Sequence, residues 1–230
     1  FSSQNQYYEP FYTARLIILL WRGNKLETGY GATRQQIAEI VSQLSTLQIA
    51  NPFSQEQLAS FESNTQWDAE GVEDLQHNSG WIAMGTQSAR AYLLLSSAIK
   101  INQRLGVEEI KSIHRVLMSG ALPNPGQFRN TNVMADNYVF CRFEDVHFRI
   151  EKTLNDFEQN VERKERHPIE IAVDLMLEFV TIHPFINGNG RMCRLLFSYA
   201  LERMGFPFPT TLDSGHSRSY KHYIQALQDA

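Results

Sequence analysis

The residues of this chain that are best suited to chemistry lie close together in residues 181–194. His183 is near the start of this stretch, and a neutral imidazole there can accept a proton from an attacking hydroxyl group. Gly188 and Gly190 bracket Asn189 at the predicted start of a helix. Outward-facing amide N–H groups and the helix dipole make such a helix start a binding site for anions, phosphate above all.

Two arginines and one aromatic residue complete this loop. Arg191 and Arg194 are three residues apart, so they share a helix face and can donate to further phosphate oxygens. Phe185 is apolar within a polar loop and is predicted to anchor it to the core. Each feature has an ordinary structural alternative, since a His beside Pro is often structural, Gly-x-Gly is often a turn, and paired arginines are often solvated. Their combination in one short loop favours a functional site.

Two amphipathic helices are predicted to position the loop. Apolar residues recur at helical spacing before it (Ile169, Val173, Met176, Leu177, Val180) and after it (Met192, Leu195, Leu196, Tyr199). Gly205 is a natural stop for the second helix.

The rest of the chain is predicted to be mostly helical, so the fold class is all-α. Residues 1–10 are expected to be an extended lead-in. Helices are predicted at Phe11–Arg22, after the capping residues Thr33 and Ser54, at Trp81–Arg104, at Val107–Met118 and at Val146–Glu165. His114 is interpreted as a partly buried structural histidine rather than a second catalyst. Tyr138 and Val139 belong to a predicted β-hairpin around Asp136-Asn137.

Composition narrows the classes of function. The chain has 230 residues, 43% of them hydrophobic, and a net charge of −4, so no basic surface points to nucleic acid. The apolar run Leu16–Trp21 is too short to span a bilayer, so no membrane association is expected. Cys141 and Cys193 form no disulfide framework. No signal peptide is visible, but the sequence begins at Phe1 without a Met, so a lost targeting segment stays open. The compartment is unknown, and an intracellular, cytoplasmic one is favoured. We divide the chain into an N-terminal helical extension, residues 1–79, and a catalytic domain, residues 80–230.

The pattern His183-Pro184-Phe185-x-x-Gly188-Asn189-Gly190-Arg191-x-x-Arg194 resembles the signature of the Fic family, His-x-Phe-x-(Asp/Glu)-Gly-Asn-Gly-Arg-x-x-Arg. The resemblance covers roughly residues 80–225 and includes 113–118, 126–129 and Val133. It implies a helical bundle with a short β-hairpin flap and an enzyme that moves AMP from ATP to a Ser, Thr or Tyr hydroxyl of a target protein.

The resemblance also implies roles for individual residues. His183 would be the general base. The amides of Gly188 to Gly190, with Asn189, would hold the α- and β-phosphates, Arg191 the β- or γ-phosphate and Arg194 the γ-phosphate. The hairpin residues Asn137, Tyr138 and Val139 would clamp the target peptide, although a plain surface hairpin fits the sequence as well. Tyr220 and Tyr223 would stack on adenine, and core packing is an equal alternative for both.

One position departs from the family pattern. Asn187 stands where the family has an acidic residue that helps to hold Mg²⁺ (or Mn²⁺) on the nucleotide. An amide offers one neutral oxygen, whereas hard cations prefer charged oxygen ligands, so weak or water-mediated binding is expected. Two alternatives therefore stay open. One is a Fic enzyme with another chemistry (AMP removal, or transfer of UMP or phosphocholine), and the other is a nucleotide-binding module with little catalysis.

Many Fic proteins carry an inhibitory helix whose glutamate pairs with the second arginine of the motif. Glu70-Gly71 has the right ending for that helix, but Gln66 stands where Ser or Thr belongs. Residues 22–26 resemble the tail of the pattern with Arg22 in place of the glutamate. A solvated loop acid is the alternative for Glu70. ATP and a target protein are the expected partners, and a homodimer is left open.

Overall fold

A computed structural model describes residues 2–28, 32–63, 78–135 and 138–211. Over these residues the regular secondary structure is helical apart from one short hairpin, which confirms the all-α class. The helices are α1 (Ser2–Thr28), α2 (Arg34–Leu44), α3 (Gln55–Ser60), α4 (Asn78–Lys100), α5 (Val107–Leu117), α6 (Val146–Arg163), α7 (Pro168–Ile182) and α8 (Asn189–Arg203).

Local capping signals set two of the helix starts as predicted. The Thr33 hydroxyl accepts from the Gln36 amide at 3.2 Å while the Gln36 side chain accepts from the Thr33 amide at 2.7 Å, which makes a capping box before α2. The Ser54 hydroxyl accepts from the Gln57 amide at 3.2 Å and caps α3.

Helix α1 is longer than predicted, and the extended lead-in over residues 1–10 is wrong. The helix runs from Ser2 through Pro10 and continues past Arg22. Contacts with a distant segment explain this extension. The Tyr8 hydroxyl donates to the Pro207 carbonyl, and the rings of Phe11 and Phe208 pack edge to face 5.1 Å apart. Such contacts leave no periodic signal in the first ten residues.

The core lies around the antiparallel pair α7 and α8. Helix α6 packs on α7, while α4 packs against α8, α5, α2 and α1. The apolar face predicted for α8 is buried, with Leu196 at 0% exposure. The face predicted for α7 is only partly right, because Met176 is buried at 3% but Ile169 is 45% exposed. The buried residues of α7 are instead Ile171, Ala172, Leu175, Met176, Phe179 and Ile182. The loop between these two helices is therefore supported on both sides by close-packed side chains.

A buried polar cluster ties α1 to α4 and α8. The hydroxyl groups of Tyr12 and Tyr92 lie 2.5 Å apart, and both donate to Glu202 Oε2, at 3.2 and 2.8 Å. The Ser198 hydroxyl donates to the other carboxylate oxygen at 2.9 Å. Burial raises the pKa of Glu202, and its hydrogen bonds oppose that rise.

The predicted hairpin is present as β1 (Met134–Ala135) and β2 (Tyr138–Val139). The strands are antiparallel, with Met134 opposite Val139 and Ala135 opposite Tyr138. A 3₁₀ turn at Phe143–Asp145 leads from the hairpin into α6. Among the described helices, none combines the length and the apolar character that a bilayer crossing needs.

Candidate active site between α7 and α8

His183 is the residue at which α7 ends. It adopts the left-handed conformation, with φ 52° and ψ 60°, and its amide donates to the Phe179 carbonyl at 3.1 Å. This conformation turns the chain sharply out of the helix and leaves the imidazole half-buried. The Phe140 ring stacks on it with 4.0 Å between centroids, and Tyr138 packs edge-on against Phe140 at 5.1 Å. An aromatic row therefore connects the hairpin to His183.

Phe185 and Asn189 close the interior of the loop. Phe185 is fully buried, as predicted for an anchor. The Asn189 side chain accepts from the Phe185 amide at 3.0 Å and donates to the Phe185 carbonyl at 2.8 Å. Since both polar ends of this side chain are engaged inside the loop, any contact of Asn189 with a ligand has to come from its main-chain amide.

Gly188 forms the sharp turn into α8. Its φ is +82°, and a Cβ built on it would lie 2.7 Å from Met118 Sδ, so glycine is needed for both conformation and space. The first helical bond runs from the Met192 amide to the Gly188 carbonyl at 3.0 Å. The amides of Asn189 and Gly190 come before that bond, at the helix N-terminus where anions bind.

Arg191 and Arg194 lie on the buried side of α8 rather than in solvent, with exposures of 3% and 6%. Arg194 donates to the Gly23 carbonyl near the end of α1 at 2.9 Å. The two arginines share a cavity of about 10 Å³ with Leu19, Leu20, Gly23, Ser88, Leu117 and Leu195. A space of this size holds one water at most, and residues of α1 line one side of it.

Asn187 points its side chain at its own neighbour. Its Oδ1 accepts from the Gly188 amide at 2.5 Å. No acidic residue occurs between His183 and Arg194, and the described residues contain no cluster of three His, Cys, Asp or Glu side chains that would hold a metal ion.

His114 is buried directly beneath this loop, at 1% exposure. Its ring stacks on Phe185 with 3.6 Å between centroids and 6° between planes. Burial, with the nearby charge of Arg191 as a smaller cause, lowers the pKa of His114 to about 4, while the hydrogen bond to Asn187 opposes that shift. The imidazole is therefore neutral at physiological pH.

Arg129 is a functional candidate that the sequence reasoning missed. It is 4% exposed, and its guanidinium donates to the carbonyls of four residues, Thr131, Cys141, Ile182 and His183. Ile182 and His183 end α7, whereas Thr131 and Cys141 flank the hairpin. One side chain thus joins the base of the hairpin to the backbone of His183. Its only sequence signal was its place in the stretch Gly126–Arg129.

Four predicted site residues lie outside the described residues: Glu70, Asn137, Tyr220 and Tyr223. Tyr138 and Val139 are present on β2, with exposures of 47% and 69%. The main chain of the other inhibitory candidate, residues 22–26, lies in α1, and the contact with Arg194 is made by the carbonyl of Gly23 rather than by an acidic side chain.

Comparison with known families and sequences gives a consistent result. A family model described as the Fic/DOC family matches residues 104–201. A Fido domain-containing protein of Dictyostelium discoideum is 32% identical over 111 residues, which are 48% of this chain and 75% of that protein. A protein adenylyltransferase Fic of Nematostella vectensis is 32% identical over 164 residues, which are 70% of this chain and 36% of the relative. This chain thus spans about a third of the adenylyltransferase it matches.

A solved structure supports the fold. The crystal structure of a Fic domain-containing signaling protein from Bacteroides thetaiotaomicron superposes with a TM-score of 0.58. It covers 93% of this chain and 81% of the other, at 17% sequence identity. At that identity the likeness is one of fold.

Proposed function

This chain belongs to the Fic/DOC family, and from that premise we propose that it is a protein adenylyltransferase, which moves AMP from ATP to a Ser, Thr or Tyr hydroxyl of a target protein. The observation that supports this most strongly is the order of groups along the loop. A half-buried histidine ends α7, and the N-terminus of α8 and two buried arginines follow within the next eleven residues. This order supports a reaction that needs a proton acceptor and an anion site in one loop.

The reaction joins a target oxygen to the α-phosphorus of ATP and breaks the bond from that phosphorus to the bridging oxygen of the β-phosphate. Pyrophosphate leaves with the electron pair of that bond, and the hydroxyl proton passes to His183 as general base. The main-chain amides at the start of α8, from Gly188 to Gly190, stabilise the negative charge that develops on the phosphate oxygens. Since the Gly188 amide already donates to Asn187, the amides of Asn189 and Gly190 have the larger part in this role.

Arg191 and Arg194 are the proposed partners of the β- and γ-phosphates. In the arrangement described above, Arg194 donates to the Gly23 carbonyl, and the small cavity beside it leaves no room for a phosphate. ATP binding in the proposed mode therefore requires the end of α1 to move aside, after which a γ-phosphate oxygen replaces the carbonyl as the acceptor for Arg194. A charged phosphate is the stronger acceptor of the two.

The loop does not fit a metal ion held by the protein alone. Residues 183–194 contain no carboxylate, and the Oδ1 atom of Asn187 already accepts from an amide. Mg²⁺ commonly enters such sites on the phosphates of its nucleotide and keeps several waters. Asn187 would therefore be a weak or water-mediated ligand of a metal ion that arrives with the nucleotide.

The hairpin is the proposed clamp for the target. Tyr138 and Val139 are exposed on a two-stranded ribbon whose aromatic row ends on His183. A target segment laid along this ribbon by main-chain hydrogen bonds would bring a hydroxyl close to the base. Stacking of Tyr220 and Tyr223 on adenine, an inhibitory role for Glu70, and the division at residues 79 and 80 stay predictions.

The test is transfer from ATP labelled on the α-phosphate, read by autoradiography and by intact mass on the protein itself and on an added cell extract. His183→Ala should abolish labelling. His183→Asn should abolish labelling as well. Because Asn tolerates the left-handed backbone conformation of this position, a loss of activity in this variant reports the missing imidazole rather than a strained backbone. Nucleotide binding should survive in both variants.

His167→Ala is a matched control, because His167 caps the other end of the same helix. It should cost about 1 kcal/mol of stability and leave transfer intact. Full activity in His183→Asn would refute the assignment of the base. Label from UTP or from CDP-choline, with none from ATP, would refute AMP transfer while keeping the site.

A further inference from the structure

His114 makes two hydrogen bonds that together fix its tautomer. The Gly126 amide, which can only donate, approaches Nδ1 at 2.9 Å. The carbonyl of Asn187, which can only accept, lies 2.9 Å from Nε2. A neutral imidazole protonated on Nε2 satisfies both partners, and the other tautomer satisfies neither.

The second of these bonds acts on the turn that leads into α8. In a planar trans peptide the carbonyl and the following amide N–H point in opposite directions. Because the Asn187 carbonyl points inward to His114, the Gly188 amide has to point away from the core. There it meets the Oδ1 atom of Asn187 at 2.5 Å. The imidazole thus determines how this peptide plane and the Asn187 side chain are oriented.

Two further contacts place the same ring under the loop. It stacks on Phe185, whose main-chain amide and carbonyl both bond to Asn189. It also lies 3.2 Å from the point where a Cβ on Gly188 would stand. The turn therefore contacts His114 at Phe185, at the Asn187 carbonyl and beside Gly188.

We propose that His114 is a positioning residue for the phosphate-binding amides: through Nε2 it holds the Asn187–Gly188 peptide plane in the orientation that exposes the N-terminus of α8. This inference rests on the proposed function for its catalytic consequence. His114 touches neither target nor nucleotide, and it acts through Asn187.

The experiment compares two substitutions that remove different parts of the contact. His114→Phe keeps a buried ring on Phe185 and loses both hydrogen bonds. His114→Gln keeps an amide that can donate to the Asn187 carbonyl. Phe179→Leu is the control. Phe179 is buried and its ring centroid lies 6.4 Å from that of Phe185, but its side chain makes no hydrogen bond to the loop.

We expect His114→Phe to lower the kcat of AMP transfer roughly 10- to 100-fold, as small misplacements of catalytic groups do, with a smaller change in KM. His114→Gln should recover part of this loss. Phe179→Leu should lower the Tm by a similar amount to His114→Phe but keep kcat within about twofold, since the polar geometry of the loop is left intact. Equal kcat values in His114→Phe and Phe179→Leu would overturn the proposal.

Two measurements on the protein without nucleotide keep this inference separate from the proposed activity. ¹⁵N NMR of His114 should show a protonated Nε2 and an unprotonated Nδ1. Hydrogen exchange at the Gly188 amide should be slow in the original protein and faster in His114→Phe, though not in Phe179→Leu. An Nδ1-protonated ring, or unchanged exchange at Gly188, would overturn the positioning role even if AMP transfer were confirmed. The expected pattern would support it even if AMP transfer failed.

Discussion

Replacing Arg129 by lysine should destabilise the protein strongly, although the charge is retained. The guanidinium donates from Nε to the His183 carbonyl at 2.8 Å, from one terminal nitrogen to Thr131 at 2.8 Å, and from the other to Ile182 at 3.2 Å and to Cys141. These carbonyls surround a planar fork. A lysine ammonium is a single point at the end of a flexible chain and cannot reach all of them.

The size of the effect follows from the number of bonds lost. If lysine keeps two of the four carbonyls, two hydrogen bonds to a charged donor disappear, each worth about 1.5–3 kcal/mol. The expected loss is therefore about 3–6 kcal/mol, against a typical total stability of roughly 5–15 kcal/mol. For a chain of this size that corresponds to a Tm lower by roughly 6–24 °C.

The assay is thermal and denaturant unfolding of Arg129→Lys beside Arg142→Lys. Arg142 is an exposed arginine paired with Glu144 at 3.0 Å, so its replacement should change stability by less than about 0.5 kcal/mol. AMP transfer measured at a temperature where both variants are folded should also fall in Arg129→Lys, because the hairpin and the His183 backbone lose their shared support. If the two variants melt within about 2 °C of each other, which corresponds to roughly 1 kcal/mol or less, the four-carbonyl contact is not stabilising and the reasoning fails.

Three further perturbations give distinct signatures. Asn187→Asp should lower the Mg²⁺ concentration for half-maximal transfer roughly tenfold, since a carboxylate is the better ligand, and an unchanged Mg²⁺ titration would contradict the weak-ligand assignment. Gly188→Ala should lower the free energy of unfolding, measured with denaturant, by about 2–5 kcal/mol, because the backbone is left-handed there and the added methyl group overpacks the site. Gly205→Ala is the control for the backbone term alone, because Gly205 has φ +97° and no neighbouring group lies within 4 Å of the added Cβ. Its expected loss is about 1–2 kcal/mol. Burial raises the pKa of Glu202 above its ordinary value of 4.5. The protonated side chain therefore adds to the free energy of unfolding below pH 4.5, and this contribution is lost as the pH rises through the raised pKa. Unfolding followed from about pH 4 to 7 should therefore show the original protein losing stability relative to Glu202→Gln, and parallel curves would exclude a proton on this buried carboxyl.

The sequence predicted the features that depend on neighbouring residues. The capping residues Thr33 and Ser54, the apolar face of α8 and the hairpin pairing are all encoded within a few positions, and so is the turn at Gly188. The face of α7 was predicted one-sidedly, because this helix is apolar on most of its surface and several faces fit the same spacing. The order His183, glycine turn, helix start is itself local, so the position of the candidate site between two helices could be predicted from the residues alone.

The features that were missed depend on contacts between distant segments. Arg194 meets the Gly23 carbonyl across 171 positions of sequence, and Arg129 reaches His183 across 54. Both acceptors are main-chain carbonyls, which every residue has, so no residue type marks them. The helical conformation of Tyr8 and Phe11 was missed for the same reason, because these residues contact the segment after α8, at Pro207 and Phe208.

Asn187, at the position where the family has an acidic residue, affects the conformation of the loop and its charge differently. The oxygen that accepts from the Gly188 amide is one that an aspartate would also offer, so the turn into α8 does not need an acid at this position. The electrostatics do change. With Asn187, residues 183–194 carry two arginines and no acid beside a helix N-terminus, so the loop attracts anions without an opposing carboxylate. We therefore expect the loop to retain its affinity for phosphate groups, and the altered residue to change the chemistry chiefly by weakening the hold on the metal that arrives with them.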